Sequence, residues 1–163
     1  MNKTKPKIYL FTDASVNPQK KVGFGAYLLL KELDCFTPEL EKKTKLKKFD
    51  NTSSTKLELE TLLWALKEES LQNFTIVVYT DCQNIIGLPA RRDGFEKKNY
   101  ITSKGTLIKN HELYKAFYKK TDILDCEFIK VKGHKKSAEK NKIDEIFTTV
   151  DRASRDALRD MYL

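Results

Sequence analysis

At two places in this chain of 163 residues, the dipeptide Thr-Asp comes directly after a short apolar run. Asp13 closes the run that begins at residue 8, and Asp81 closes the run that begins at residue 76. Both runs have the length and the β-branched or aromatic content of a buried strand. Two such strands side by side bring two carboxylates together, and like charges that close raise each other's pKa unless a cation or a shared proton is present. The repeat therefore indicates a metal site, unless each Asp only caps the turn or helix that follows its strand.

A third candidate acid lies in a predicted amphipathic helix that begins after the polar residues 53–55. The apolar stripe of this helix consists of Leu59, Leu62, Leu63 and Leu66. Glu58 borders that stripe, whereas Glu60 lies further toward solvent. A helix packed across the sheet would aim Glu58 at the strand ends; the alternative is that both glutamates only complement the positive end of the helix dipole.

The C-terminal part of the chain offers a histidine and two more acids. A predicted strand ends in Gly133-His134, and Asp144 and Asp151 follow in the predicted last helix. These two aspartates are seven residues apart, which places them two turns apart on nearly one face of the helix. Either could point back at the sheet, and the alternative is that both are surface groups.

The elements that must position these residues indicate one α/β domain, residues 1–163, with a mixed sheet. We predict strands at residues 8–13, 22–31, 41–49, 74–80 and 126–131, with a turn at 15–21. We predict helices at residues 53–66, 81–88, 107–120 and 143–161, the second of them stopped by Pro89. The two glycines of the second strand suggest either a bend or a close approach of another backbone.

The composition of the chain indicates which classes of partner it can bind and where we expect it to work. The chain has 31 Lys and Arg against 23 Asp and Glu, a formal net charge of +8, which suits nucleic acid or an anionic membrane surface. It has no apolar stretch that could span a bilayer and no signal sequence, so we expect a cytoplasmic protein. Cys35, Cys82 and Cys126 are far apart and odd in number, which indicates reduced thiols without a disulfide or zinc site.

Four motifs, in this order along the chain, resemble the signatures of the type I ribonuclease H family. They are Phe11-Thr12-Asp13-Ala14-Ser15 with Asn17-Pro18 after it, Ser54-Thr55-Lys56-Leu57-Glu58-Leu59, Thr80-Asp81-Cys82-Gln83 and Val131-Lys132-Gly133-His134. The resemblance extends from residue 8 to the final helix. It implies a ribonuclease H-like fold, that is, a five-stranded mixed sheet with strand order 3-2-1-4-5 flanked by helices.

The resemblance also implies an activity. Asp13, Glu58, Asp81 and one late aspartate would bind two Mg²⁺ ions, with Mn²⁺ as a substitute, and His134 would help to protonate or release the product. The protein would then be an endonuclease that hydrolyses the RNA strand of RNA/DNA hybrids by two-metal-ion chemistry. We expect it to act as a monomer.

Two residues are candidates for the fourth carboxylate of the implied metal site. The usual short spacing after Gly133-His134 leads to Asp144, whereas the sequence from Asp151 to Arg155 better matches the family's Asp-x-x-small-Arg pattern. We favour Asp151. The chain departs from the family pattern at two further positions, both of which are implied contacts to the substrate. Ser54-Thr55 stands where the family usually has an Asn pair, and Cys82 stands where the family usually has a Ser.

Contacts to the hybrid are implied at several positions. They are Asn17, Ser54, Thr55, Cys82 and Gln83 from the motifs, and Arg91, Arg92, Lys97 and Lys98 from segment 89–105, which occupies the place of a basic protrusion in some family members. Phe95 and Tyr100, interleaved with these cations, could stack a sugar or base. The alternative for this segment is a solvated charged loop.

Two other functions remain open for such a fold. One is a hybrid- or RNA-binding module without catalysis, which the full set of acids argues against, because a pure binder gains nothing from buried repulsion. The other is a DNA-acting nuclease of the same fold, such as a transposase or integrase core, which the absence of an added DNA-targeting domain disfavours.

Overall fold

A computed structural model describes residues 4–33, 37–132 and 141–162. Its five-stranded sheet has the order β3-β2-β1-β4-β5, which confirms the predicted mixed sheet. The strands are β1 (Lys7–Asn17), β2 (Val22–Leu30), β3 (Lys45–Asp50), β4 (Thr75–Thr80) and β5 (Asp125–Lys130). Strands β1, β2 and β3 pair antiparallel, whereas β4 runs parallel to both β1 and β5.

Helices cover both faces of this sheet. They are α1 (Thr37–Lys43), α2 (Ser54–Ala65), α3 (Gln83–Lys97), α4 (His111–Ile123) and α5 (Lys142–Met161). Side chains alternate along β1, so that Ile8 and Leu10 belong to the core beneath α2, α3 and α4, whereas Phe11 belongs to the core beneath α1 and α5. In the described part of the chain, no helix combines the length and the apolar composition that a bilayer crossing requires.

The approach of α2 to the sheet depends on Gly25 in β2. A Cβ atom at this position would lie 2.1 Å from Thr61 Oγ1 of α2, so only glycine permits the observed packing. This confirms the close approach expected from the glycines of the second strand. Glu58 lies one turn before Thr61, and the tight packing therefore brings it down to the level of the sheet.

Strand β1 continues four residues beyond Asp13, and the prediction that it ends there is wrong. Its antiparallel pairing with β2 runs on to Asn17 and Val22. The turn that follows is closed by Asn17 Oδ1, which accepts hydrogen bonds from the N–H groups of Gln19 and Lys20, both at 3.1 Å. Residues 14–17 extend the strand although two of them are polar, because the backbone of β2 supplies their hydrogen-bond partners.

The predicted strand at 41–49 is partly helix. Residues up to Lys43 belong to α1, and β3 begins at Lys45. Leu40 is only 3% exposed within the core beneath α1 and α5, and this contact stabilises a short helix that periodicity alone does not reveal.

Helix α3 runs through Pro89 to Lys97, so the prediction that Pro89 ends it is wrong. A proline inside a helix removes one backbone hydrogen bond. The helix is held here by the fully buried Ile85 and Leu88, and the Tyr118 hydroxyl donates a 2.6 Å hydrogen bond to the Leu88 carbonyl. The predicted bounds of β2, β4, β5 and α5 are confirmed within one residue, whereas α4 begins four residues later than predicted.

Candidate metal centre and nucleic-acid interface

Parallel pairing of β1 and β4 brings the two Thr-Asp motifs side by side. Phe11 pairs with Tyr79, so Asp13 and Asp81 stand two residues further along neighbouring strands. Adjacent strands lie about 4.8 Å apart, and residues two apart share a face of the sheet. Phe11 and Tyr79 stack with their ring centroids 4.7 Å apart in the core beneath α5. The two aspartates therefore meet above this stack, as the repeat predicted.

Helix α2 adds a third carboxylate to this pair. One carboxylate oxygen from each of Asp13, Glu58 and Asp81 lies within 4.8 Å of the others. Asp13 is 3% exposed, and the other two are partly buried. Glu60 instead accepts a 2.7 Å hydrogen bond from the Thr52 hydroxyl. The structure thus groups Glu58, and not Glu60, with the strand aspartates.

Helix α5 brings Asp151 to the same place. The Asp151 side chain hydrogen-bonds with Asp13 and forms an ion pair with Arg155 one turn later. Asp144 serves a different purpose, because it forms a capping box at the start of α5: its carboxylate accepts from the Asn141 N–H at 3.1 Å, and the Asn141 side chain accepts from the Asp144 N–H at 3.0 Å. Asp151, and not Asp144, thus lies beside Asp13.

Burial and mutual repulsion change the acidity of this cluster. Burial, the charge of Glu58 and the hydrogen bond with Asp151 raise the pKa of Asp13 to about 10. Burial and the charges of Asp81 and Asp151 raise the pKa of Glu58 to about 8. Asp13 and Glu58 therefore retain their protons near neutral pH unless a cation replaces them.

The donor set fits a hard divalent cation. Glu58 Oε2 is buried and has no hydrogen-bond partner among the residues that the structure describes. A buried acceptor without a partner costs about 1–3 kcal/mol, which a bound cation would recover. The ligand atoms are carboxylate oxygens, as Mg²⁺ prefers. Burial raises the pKa of the nearby Cys82, so this thiol stays protonated and is a poor metal ligand.

Comparison with known proteins identifies the family. The sequence profile of the RNase H family matches residues 5–156. The chain belongs to the RNase H family. Ribonuclease HI of Shewanella oneidensis is 29% identical over 142 residues, which cover 85% of this chain and 84% of that protein. Ribonuclease H of Shewanella baltica is 30% identical over 146 residues, which cover 87% of this chain and 86% of that protein.

A solved structure shows the same fold. The foamy viral protease-reverse transcriptase in complex with RNA/DNA hybrid matches with a TM-score of 0.64 and 8% identity. The match covers 92% of this chain and 19% of that one. At 8% identity, this match shows that the two chains share a fold.

The histidine implied by the family motif lies outside the described residues. His134 belongs to residues 133–140, which separate the two described segments 37–132 and 141–162. Its role in product protonation or release stays a prediction.

The start of α2, the start of α3 and the segment that leads into α4 enclose a polar pocket of about 420 Å³ in this RNase H-family chain. It is lined by Ser53, Ser54, Thr55, Asn84, Lys109, Asn110 and Tyr114. Only Ser54 and Thr55 were predicted as contacts. The remaining polar residues come from three segments distant in sequence, and their one visible signal is a Lys-Asn pair directly before α4.

The other predicted motif contacts lie at element ends. Asn17 lies at the end of β1 and uses its carbonyl oxygen to close the following turn. Cys82 is the N-cap residue of α3 and is partly buried. Gln83 is exposed, and its Oε1 accepts a 2.7 Å hydrogen bond from Lys130 Nζ of β5.

The first half of the basic segment 89–105 belongs to helix α3. The alternative of a solvated loop is therefore wrong for residues 89–97. Arg91 donates to Asn84 Oδ1 at 2.6 Å. Arg92 donates to both carboxylate oxygens of Asp122, at 2.6 and 2.8 Å, and thereby fastens α3 to α4. Lys97 and Lys98 are exposed at the end of α3.

The aromatic residues of this segment are part of the core. Tyr100 is 6% exposed, and its ring stacks on Phe95 with the centroids 5.6 Å apart. Phe95 in turn stacks on Tyr114 at 5.3 Å. Tyr100 is therefore too buried to stack a sugar or base, whereas such stacking by the partly buried Phe95 stays a prediction.

Proposed function

We propose that this chain is a metal-dependent endonuclease that hydrolyses the RNA strand of RNA/DNA hybrids. The observation that carries the proposal is the cluster of Asp13, Glu58 and Asp81, whose ligand oxygens lie within 4.8 Å of one another. Membership of the RNase H family and relatives named Ribonuclease H support the activity. We further propose that residues 1–163 form one catalytic domain that works as a monomer in the cytoplasm.

Each carboxylate has a role in this proposal. Asp13, Glu58, Asp81 and Asp151 would hold two Mg²⁺ or Mn²⁺ ions. Such ions, when bound, supply hydroxide at neutral pH and stabilise the leaving oxygen of a phosphodiester. The protein holds the carboxylates at one edge of the sheet and excludes water from Asp13. His134 would transfer a proton to the product side of the reaction.

The net charge of the chain, the cations of α3 and the polar pocket suit a nucleic acid. The excess of positive charge attracts phosphates, and Lys97, Lys98 and Arg91 offer cations on α3. The pocket that contains Ser54, Thr55 and Lys109 combines hydroxyl donors with an ammonium group, which suits a backbone phosphate. Hydrogen bonds to 2′-hydroxyl groups would distinguish the RNA strand. Asn17, Cys82 and Gln83 are proposed as further contacts to the hybrid.

A cleavage assay on matched duplexes tests the function. Labelled RNA/DNA, RNA/RNA and DNA/DNA duplexes are incubated with the protein in Mg²⁺ or in EDTA, alongside Asp13→Asn. We expect cleavage of the RNA strand of the hybrid alone, abolished by EDTA and by the substitution. Cleavage of the DNA duplex would instead indicate a DNA-acting nuclease, and binding of the hybrid without cleavage would indicate a binding module.

A further inference from the structure

We propose that Ser15 and Ser154 are positioning residues, which hold the Asp151 carboxylate beside Asp13 through a hydrogen-bond chain between β1 and α5. The inference rests on the proposed function, because it concerns how the fourth carboxylate joins the metal centre. Neither serine is a candidate ligand. Their hydrogen bond fixes the level at which α5 lies along β1.

The direction of the hydrogen-bond chain follows from counting protons. Ser154 is fully buried, and its hydroxyl donates to the Asp151 carbonyl oxygen at 3.0 Å. The Oγ atoms of Ser15 and Ser154 are 3.1 Å apart. A serine hydroxyl has one proton to donate. Ser154 uses its proton on Asp151, so Ser15 is the donor in the contact between strand and helix.

Both ends of this chain lie next to a carboxylate of the cluster. Ser15 is two residues after Asp13 and shares its face of β1, the face that α5 covers. Ser154 is three residues after Asp151, within one turn of α5. A slide of α5 along β1 would therefore lengthen the contact between the serines and the contact between the two carboxyls together.

The serine contact fixes the level of α5 on β1 more narrowly than apolar packing does. Apolar packing by Val150 and Phe147 also holds α5 on the sheet, but such packing is non-directional and tolerates a small slide. A hydrogen bond keeps its strength only over a few tenths of an ångström. Arg155 offsets the charge of Asp151, but its side chain is 59% exposed, where ion pairs are weak.

Titration of the metal-free protein with MgCl₂ in a calorimeter tests this role. We expect Ser15→Ala and Ser154→Ala each to weaken Mg²⁺ binding by about tenfold, as is typical when a residue that orients a metal ligand is lost. The double variant should bind no more weakly than either single variant, because all three lose the same contact. Ser15→Thr keeps the hydroxyl and should bind Mg²⁺ as the wild type does.

A matched variant separates positioning from stability. Thr149→Val removes another mostly buried hydroxyl of α5, one that bonds within its own helix to the Glu145 carbonyl at 3.4 Å. It should lower the melting temperature in EDTA as Ser154→Ala does, with unchanged Mg²⁺ affinity. If Ser154→Ala also leaves Mg²⁺ affinity unchanged, the positioning role is wrong.

Cleavage of the hybrid distinguishes this failure from failure of the proposed function. A wild type that cuts the hybrid, with serine variants that bind Mg²⁺ normally, overturns the positioning role alone. A wild type that binds Mg²⁺ but cuts no duplex, with serine variants that bind Mg²⁺ weakly, overturns the function and supports the positioning role. A wild type that binds no Mg²⁺ overturns both.

Discussion

At the scale of single residues, the carboxylate cluster opposes the stability of the metal-free fold. Asp13 is buried, and its pKa of about 10 in the folded chain compares with an ordinary value of 3.8. The pKa of Glu58 is raised from 4.5 to about 8 by burial and by the charges of Asp81 and Asp151. Groups that a stable core would exclude are kept together here, as is common where a site serves function.

The pH dependence of unfolding follows from these values. Between about pH 4 and pH 10 the unfolded chain has released protons that folded Asp13 and Glu58 still hold. Stability falls with pH wherever the folded state binds more protons, so we expect the free energy of unfolding in EDTA to fall as pH rises through this window. Urea unfolding at pH 5, 7 and 9 measures it.

Asp13→Asn should flatten that dependence and raise the melting temperature in EDTA at pH 9. For a domain of this size, 1 kcal/mol corresponds to roughly 2–4 °C. Saturating Mg²⁺ should stabilise the wild type and not the variant, because only the wild type keeps all the carboxylates. Asp50→Asn, at an exposed site beside Lys48, is the control and should change neither value. Equal slopes for wild type and Asp13→Asn would contradict the assignment.

At the scale of elements, the position of α2 depends on a missing side chain. Gly25 leaves no room for a Cβ atom against Thr61, and this close packing places Glu58 at the level of the strand carboxylates. The metal centre is thus set by a helix-to-strand distance as well as by its ligands.

Gly25→Ala should push α2 outward, lower stability by about 1–3 kcal/mol and weaken Mg²⁺ binding. Adding Thr61→Ala removes the clashing atoms and should restore part of both properties. Gly94→Ala is the matched control, because a Cβ atom there meets nothing within 4 Å and alanine favours a helix. Urea unfolding and calorimetry measure the two effects. Unchanged Mg²⁺ affinity in Gly25→Ala would show that α2 spacing does not set the site.

At the scale of the whole molecule, a chain of net positive charge contains an acidic centre. The net charge of +8 attracts a polyanion, whereas the carboxylate cluster repels its phosphates. In the proposed function, binding and cleavage would therefore be separable: surface cations would hold the backbone of the hybrid, and the centre would accept a phosphate only with metal bound.

Replacing Lys97 and Lys98 by Ala should weaken binding of the hybrid and reduce its salt dependence. Each lost phosphate contact lowers the slope of log K against log salt by roughly 0.9. Lys42 and Lys43, at the end of α1 beneath the opposite face of the sheet, provide a control pair with the same change in charge. Fluorescence anisotropy in EDTA, at several salt concentrations, measures both. If the two pairs behave alike, α3 has no special part in binding.

The sequence by itself determined most of the strands and helices, with α1 missed and the ends of β1 and α3 misplaced, and it singled out three of the acids. Asp13, Glu58 and Asp81 each stand in a short motif on one element, and the strand order followed from the resemblance that those motifs carry. Local patterns suffice there because each motif needs only its own strand or helix. The Gly133-His134 motif ends in segment 133–140, outside the described residues.

Only the tertiary structure decided how distant segments meet. Asp144 and Asp151 share a face of one helix. The sequence motif favoured Asp151, but only the level at which α5 lies on β1 shows that Asp151 lies beside Asp13 while Asp144 caps the helix. The continuation of α3 through Pro89 depends on Tyr118 of α4, and the burial of Tyr100 depends on stacking with Phe95. Contacts between elements distant in sequence can override local preferences, because their packing and hydrogen bonds outweigh the loss of one backbone bond or an exposed surface.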